Sequence, residues 1–242
     1  MASAIPVEFL VAIEQDGWAA IEPLVPPESI DRAIDHLVPL GAKQDDGSGR
    51  RGGVRDILLM PVVRELACSA QVRSVAELVL GPACFAVRAS LFDKTPTSNW
   101  KVIWHQDLTI AVERRIETLG FDRWTNKGGI PHVQAPVALL ERMIAIRVHL
   151  DACGAENGPM RLLPGSHREG RLSSDAIARW RAVRTPVGPS VERGGVLAFR
   201  PLLLHASSAA VVPSHRRVIH IEFAAEDLPG PLRWHTRASL VS

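Results

Sequence analysis

Near Cys84 the chain changes period, and that change restricts the folds open to it. Upstream, apolar residues recur at helical spacing. Val7–Ile13 carries one apolar face, and Pro27-Glu28 opens a run to Leu40 with residues suited to a first turn. Pro61–Leu80 stops at Gly81-Pro82. A weak alternation over Trp18–Ile21 predicts a short strand among these helices. Downstream, Phe85–Phe92, Met143–Leu150, Gly195–Phe199 and Val218–Phe223 read as strands, and Ser173–Val183 reads as a short helix capped by Ser173 or Ser174. Helices followed by strands predict an α+β fold, with helices flanking a β barrel or sandwich.

A chain of 242 residues fits one domain, here a helical flank over 1–82 and a β core over 83–226. The glycine-rich residues 41–53 predict a mobile loop rather than a linker, because the 40 residues before them are too few for a core of their own. Residues 112–136 are long and weakly periodic, and they follow the most chemically suggestive tripeptide in the chain. A lid over a site is the expectation.

Charge excludes several partners. With 28 basic and 26 acidic residues, the chain shows no electrostatic footprint for nucleic acid or an anionic membrane surface. No apolar stretch approaches a membrane span, and Met1–Pro6 lacks the pattern of a secretory signal. The three cysteines form no CxxC pair, which argues against a thiolate zinc site or a disulfide framework. A cytoplasmic protein acting on a small molecule is expected. Oligomeric state is not readable.

The suggestive tripeptide is His105-Gln106-Asp107. A His and an Asp two apart can hold a metal from one side of a strand, but His-x-Asp is common, and a strand-end His beside a turn-capping Asp reads equally well. His205 closes the apolar run Pro201–Leu204, where a hydrogen-bonded core histidine competes with a ligand. Arg216-Arg217 opens a strand, so only one of the two can face inward. A buried arginine needs an anion, and its fork matches a carboxylate. Together, two imidazoles and one carboxylate suit one face of Fe(II), and an arginine beyond them suits the far carboxylate of a 2-oxo acid. His132 and Gln134 read as substrate contacts or solvated loop. Arg147 reads as a partner for an anionic substrate or for a structural carboxylate such as Glu222. Pro164-Gly165-Ser166-His167 reads as a turn whose polar groups satisfy backbone.

Phe92-Asp93-Lys94-Thr95-Pro96, Trp104-His105-Gln106-Asp107, Asn157-Gly158-Pro159 through Pro164-Gly165-Ser166-His167, and His205-Ala206-Ser207 with Arg216 resemble the phytanoyl-CoA dioxygenase family of Fe(II)/2-oxoglutarate oxygenases in its short bacterial form. The resemblance spans about residues 84–224. It implies a double-stranded β-helix, or jelly roll, with Fe(II), 2-oxoglutarate and O2 as cofactors and ascorbate in support. It implies His105, Asp107 and His205 as iron ligands, and Arg216 and Ser207 on the distal carboxylate. Arg88 and Gln106 become further cosubstrate contacts, and Trp124 an aromatic beside the site. Asp107 argues against a halogenating relative, which lacks that carboxylate. A cupin-like isomerase or hydrolase, or a binding protein on the same fold, stand as alternatives. No basic cluster supports a CoA ester as substrate.

Overall fold

The structure, a computed structural model, describes residues 5–42 and 53–239. The stretch expected to form a mobile loop lies almost wholly outside the described residues. In chain order the elements are α1 (Val7–Gln15), β1 (Trp18–Ile21), α2 (Pro27–Ala42), β2 (Val54–Arg55), α3 (Pro61–Cys68), α4 (Ala70–Leu80), β3 (Phe85–Lys94), β4 (Val102–His105), β5 (Thr109–Ala111), β6 (Asp122–Lys127), β7 (Ile130–Gln134), α5 (Val137–Leu140), β8 (Met143–His149), β9 (Met160–Leu162), α6 (Ser174–Val183), β10 (Val196–Phe199), β11 (His205–Ser207), β12 (Arg216–Ala224) and β13 (Ala238–Ser239).

The run expected as one helix over Pro61–Leu80 is two. Ser69 takes an extended conformation (ψ 147°) that ends α3, and its hydroxyl caps α4 by accepting from the Val72 N–H at 3.4 Å. The helical flank also gives strands to the β core. The large antiparallel sheet runs β1-β10-β8-β12-β3-β13, with β2 also on β3. β4, β11 and β9 form a second sheet.

Side-chain alternation divides the large sheet into two functions. One face presents Ile144, Ile146, Val148, Ile219 and Ile221, which join Ile13, Ile30, Val72 and Val75 of the helices in one core. The other face presents Lys94, Arg216, His220, Glu222 and Arg147 toward the β4-β11-β9 sheet. These polar groups are buried. The two opposed sheets make the jelly roll.

The segment 112–136 is more regular than its sequence predicts. It carries β6 and β7, and β7 pairs with both β6 and β5 in a third sheet. The β6 side chains are half-buried or exposed throughout, so no apolar alternation marks the strand. Gly128 (φ 63°) and Gly129 (φ 87°) make the hairpin turn. Ile110, Val112, Phe121 and Val133 anchor this sheet on Leu228, Leu232 and Trp234. No described helix is long and apolar enough to cross a membrane.

Candidate metal centre and its pocket

β11 pairs with β4 so that His205 lies opposite His105, with their ring centroids 4.1 Å apart. Asp107 follows the end of β4, where its N–H donates to the Pro201 carbonyl at 2.8 Å. One ligand atom from each of His105, Asp107 and His205 lies within 4.8 Å of the others.

The protonation pattern suits a cation. His105 Nδ1 donates to the Ile103 carbonyl at 2.7 Å, and His205 Nδ1 donates to Leu203 at 2.8 Å. A carbonyl only accepts, so each ring carries a proton on Nδ1, and in the neutral ring the lone pair is on Nε2. The Nε2 atoms lie 3.6 and 3.5 Å from the Asp107 oxygens, too far for hydrogen bonds. Burial pushes His205 down to about 3, and the neighbouring His105 adds to this. Burial alone would raise Asp107, but the two imidazoles outweigh it and hold the carboxyl well below its usual range. The two Nε2 atoms and the Asp107 carboxylate thus face one another, with the Nδ1 side of each ring turned to backbone. This donor set of two nitrogens and one oxygen on one side suits Fe(II) with open positions opposite.

Backbone anchors fix these ligands. Ser166, fully buried, donates to the Leu163 carbonyl at 2.7 Å and accepts from the Leu204 N–H at 2.8 Å, immediately before His205. Gly158 (φ 71°) allows the chain to pass close, because a Cβ there would lie 2.6 Å from the Ser208 carbonyl oxygen.

The triad opens on a cavity of about 630 Å3. At one end, Arg216 faces inward at 2% exposure, while Arg217 turns away to the Asp151 carboxylate at 2.8 and 2.7 Å. Lys94 lies opposite Arg216 in the β12–β3 register and donates to Ser207 Oγ at 3.2 Å and to the Ser208 carbonyl. An ammonium only donates, so Ser207 accepts from Lys94 and its own proton is free to turn into the cavity. Burial, with Arg216 and Arg147 adding repulsion, pushes Lys94 down to about 7. No carboxylate forms an ion pair with Arg216, Arg147 or Lys94 among the described residues. Lys94 and its link to Ser207 escaped the sequence reading, although Lys94 lies inside a motif that the resemblance used.

The other end is polar and internally paired. Arg88 donates twice to Glu222 Oε1, with Nε at 2.9 Å, and His220 Nε2 lies 3.3 Å from the same oxygen. Burial would raise Glu222, yet Arg88 and His220 hold it below its ordinary value. Arg88, read from the sequence as a second contact for the cosubstrate, lines the cavity with its charge paired to Glu222. It also takes the carboxylate that was one option for Arg147. Gln106, the other expected cosubstrate contact, is bonded to backbone. Its amide nitrogen donates to Gly170 and Leu202 at 2.7 and 2.6 Å, and its oxygen accepts from the Leu172 N–H at 2.8 Å. Those bonds use both ends of the amide on backbone. Trp124 does not line the cavity; it sits on β6 with the Arg115 guanidinium 5.5 Å from its ring.

His132 and Gln134 on β7 do line the cavity, as does Lys127, which donates to Thr109 Oγ1 at 3.0 Å. His132 donates from Nδ1 to Ile130 at 3.0 Å, and burial pushes it down to about 4. The Gln134 side-chain oxygen is buried without a partner.

The Phytanoyl-CoA dioxygenase (PhyH) family model matches residues 13–218. Ectoine dioxygenase of Sphingopyxis alaskensis is 24% identical over 238 residues, covering 85% of this chain and 71% of the relative. The crystal structure of that organism's EctD with bound Fe superposes with a TM-score of 0.71 at 20% identity, over 94% of this chain and 80% of the other. Its structure with 2-oxoglutarate and 5-hydroxyectoine gives 0.69 at 20% identity, over 91% and 76%. The structural likeness establishes the shared fold.

Proposed function

Because this chain belongs to the phytanoyl-CoA dioxygenase family, whose members use Fe(II), 2-oxoglutarate and O2, we propose that it is a hydroxylase of a small, polar organic molecule with His105, Asp107 and His205 as its iron ligands. The observation that carries this reading is the convergence of those three ligand atoms within 4.8 Å. Bound there, iron supplies the oxidising chemistry that couples conversion of 2-oxoglutarate and O2 to succinate and CO2 with hydroxylation of a C–H bond.

The protein's own residues then divide the work. The two Nδ1 protons are held by backbone, so neither imidazole competes for a proton at the metal face. Arg216 and the Ser207 hydroxyl receive the distal carboxylate, which sets the direction of the keto acid. The β5-β7-β6 sheet covers the opposite end, where Gln134, His132 and Lys127 offer hydrogen bonds to substrate. Such a lining favours a polar substrate over a hydrocarbon chain. The helical flank shares its core with the large sheet, so we read the chain as one domain. Its three free cysteines suit a reducing cytoplasm.

The test is succinate release from 2-oxoglutarate with Fe(II) and O2, followed by a metabolite screen for a product heavier by one oxygen. Release that persists undiminished in His105→Ala removes the metal assignment.

A further inference from the structure

Arg147 is 8% exposed and makes no hydrogen bond or ion pair among the described residues; its Nε is buried and bare. A guanidinium does not deprotonate at ordinary pH, so this is a standing buried charge. Such a charge is destabilising unless an anion meets it.

The register shows where that anion would lie. β12 runs between β8 and β3, and Arg147 on β8 lies opposite His220. Its side chain does not stay in that row. It stretches across β12 until its guanidinium carbon is 5.5 Å from the Phe92 ring on β3. Phe92 lies opposite Val218, two residues from the Lys94–Arg216 pair. Arg147 thus leans toward Arg216 and away from the Arg88–Glu222 pair. Both guanidiniums, Phe92 and Ser207 line the same cavity. Arg216 likewise forms no ion pair among the described residues, and its Nε is buried without a hydrogen-bond partner.

We propose that Arg147 is a second cosubstrate-binding residue, whose guanidinium brackets the distal carboxylate of 2-oxoglutarate together with Arg216. The inference rests on the oxygenase reading above. A carboxylate offers about four lone-pair sites, enough for a fork from Arg216, the Ser207 hydroxyl and a bond from Arg147. The Phe92 face holds the second guanidinium in place meanwhile. The arrangement selects for a 2-oxo diacid, because a monoacid leaves two buried cations facing each other.

The test is anaerobic calorimetric titration of the Fe(II)-loaded protein with 2-oxoglutarate and with 2-oxopentanoate, which has the same chain length without the distal carboxylate. Arg147→Met is expected to weaken 2-oxoglutarate about ten- to hundredfold and to leave 2-oxopentanoate unchanged. The ligand-free variant is expected to melt higher than wild type, and its melting point to rise less on adding 2-oxoglutarate. Should Arg147→Met fold poorly, Arg147→Lys keeps the charge but loses the fork, and the same diacid-only loss is expected. Unchanged 2-oxoglutarate affinity in the variant, or equal weakening of both acids, overturns the clamp while leaving the oxygenase reading intact. A wild-type protein that binds neither acid overturns the oxygenase reading first, and the clamp with it.

Discussion

His205 lies directly across the β11–β4 ladder from His105, two strands whose sequences are a hundred residues apart in the chain. That pairing sets the separation of the two imidazoles, and the turn after β4 swings Asp107 between them. A ligand set built on a ladder does not need the metal to assemble it. His105→Ala and His205→Ala are each expected to fold and to lose tight Fe(II) binding, read by anaerobic metal titration. Succinate release is expected to disappear with it, and in wild type to vanish on chelation and return with added Fe(II). Full metal affinity in either variant would contradict the assignment.

Ser166 is the peg behind this ladder. Its hydroxyl ties Leu163 to Leu204, so the residue before His205 cannot drift. Ser166→Ala leaves the buried Leu204 N–H unmet, while the Leu163 carbonyl keeps the Ser166 N–H at 3.3 Å, at a cost of about 1–3 kcal/mol. Metal affinity is expected to fall about tenfold, because the support behind a ligand is loosened while the ligand remains. Denaturant melts and metal titration read the two effects separately. An affinity equal to wild type would mean that His205 is held by its strand alone.

The sequence made the site more legible than the frame around it. Metal ligands need particular residue types, so His105, Asp107 and His205 stand out, and alternation along β12 already required one of Arg216 and Arg217 to face inward. The structure assigns that place to Arg216. Gly158 shows why a motif can be plain while its cause is hidden: its carbonyl neighbour Ser208 and the Lys94 ammonium lie where a side chain would go, and both are remote in sequence. The pairings of Arg88 with Glu222 and of Gln106 with three backbone groups are equally non-local, so the sequence could not show what these inward polar residues bond to. The strands of the lid segment were hidden for another reason. A strand with no buried side chain carries no period to detect, and β6 is held by its hairpin turn and its partner strand.

Arg88 and Glu222 form a largely buried pair on adjacent strands, lining the cavity. Glu222→Gln would leave the guanidinium without its counter-charge. The expected loss is about 2–3 kcal/mol, below the figure for a fully enclosed pair because a fifth of the Arg88 side chain (20%) reaches solvent. Removing both charges with Arg88→Met is expected to recover part of that loss, and a double-mutant cycle measures the coupling. Additive effects would show that the two charges do not depend on each other.

Lys94 provides a pH dependence with a definite sign. In the unfolded chain its ammonium titrates near 10.5, and in the fold burial and the two arginines bring it to about 7. Between those values the unfolded chain binds more protons than the folded one, so stability rises with pH across the window. Below about 7 the full penalty of a buried ammonium applies, and above 10.5 none of it does. Lys94→Met removes the group and with it this slope. Urea melts from neutral pH upward are therefore expected to show wild type gaining on the variant, by an amount on the order of a few kcal/mol across the window. Adding 2-oxoglutarate is expected to flatten the wild-type curve, since an anion beside Arg216 makes the protonated lysine tolerable. Parallel curves for the two proteins without ligand would show that Lys94 carries its proton in the fold as easily as in water.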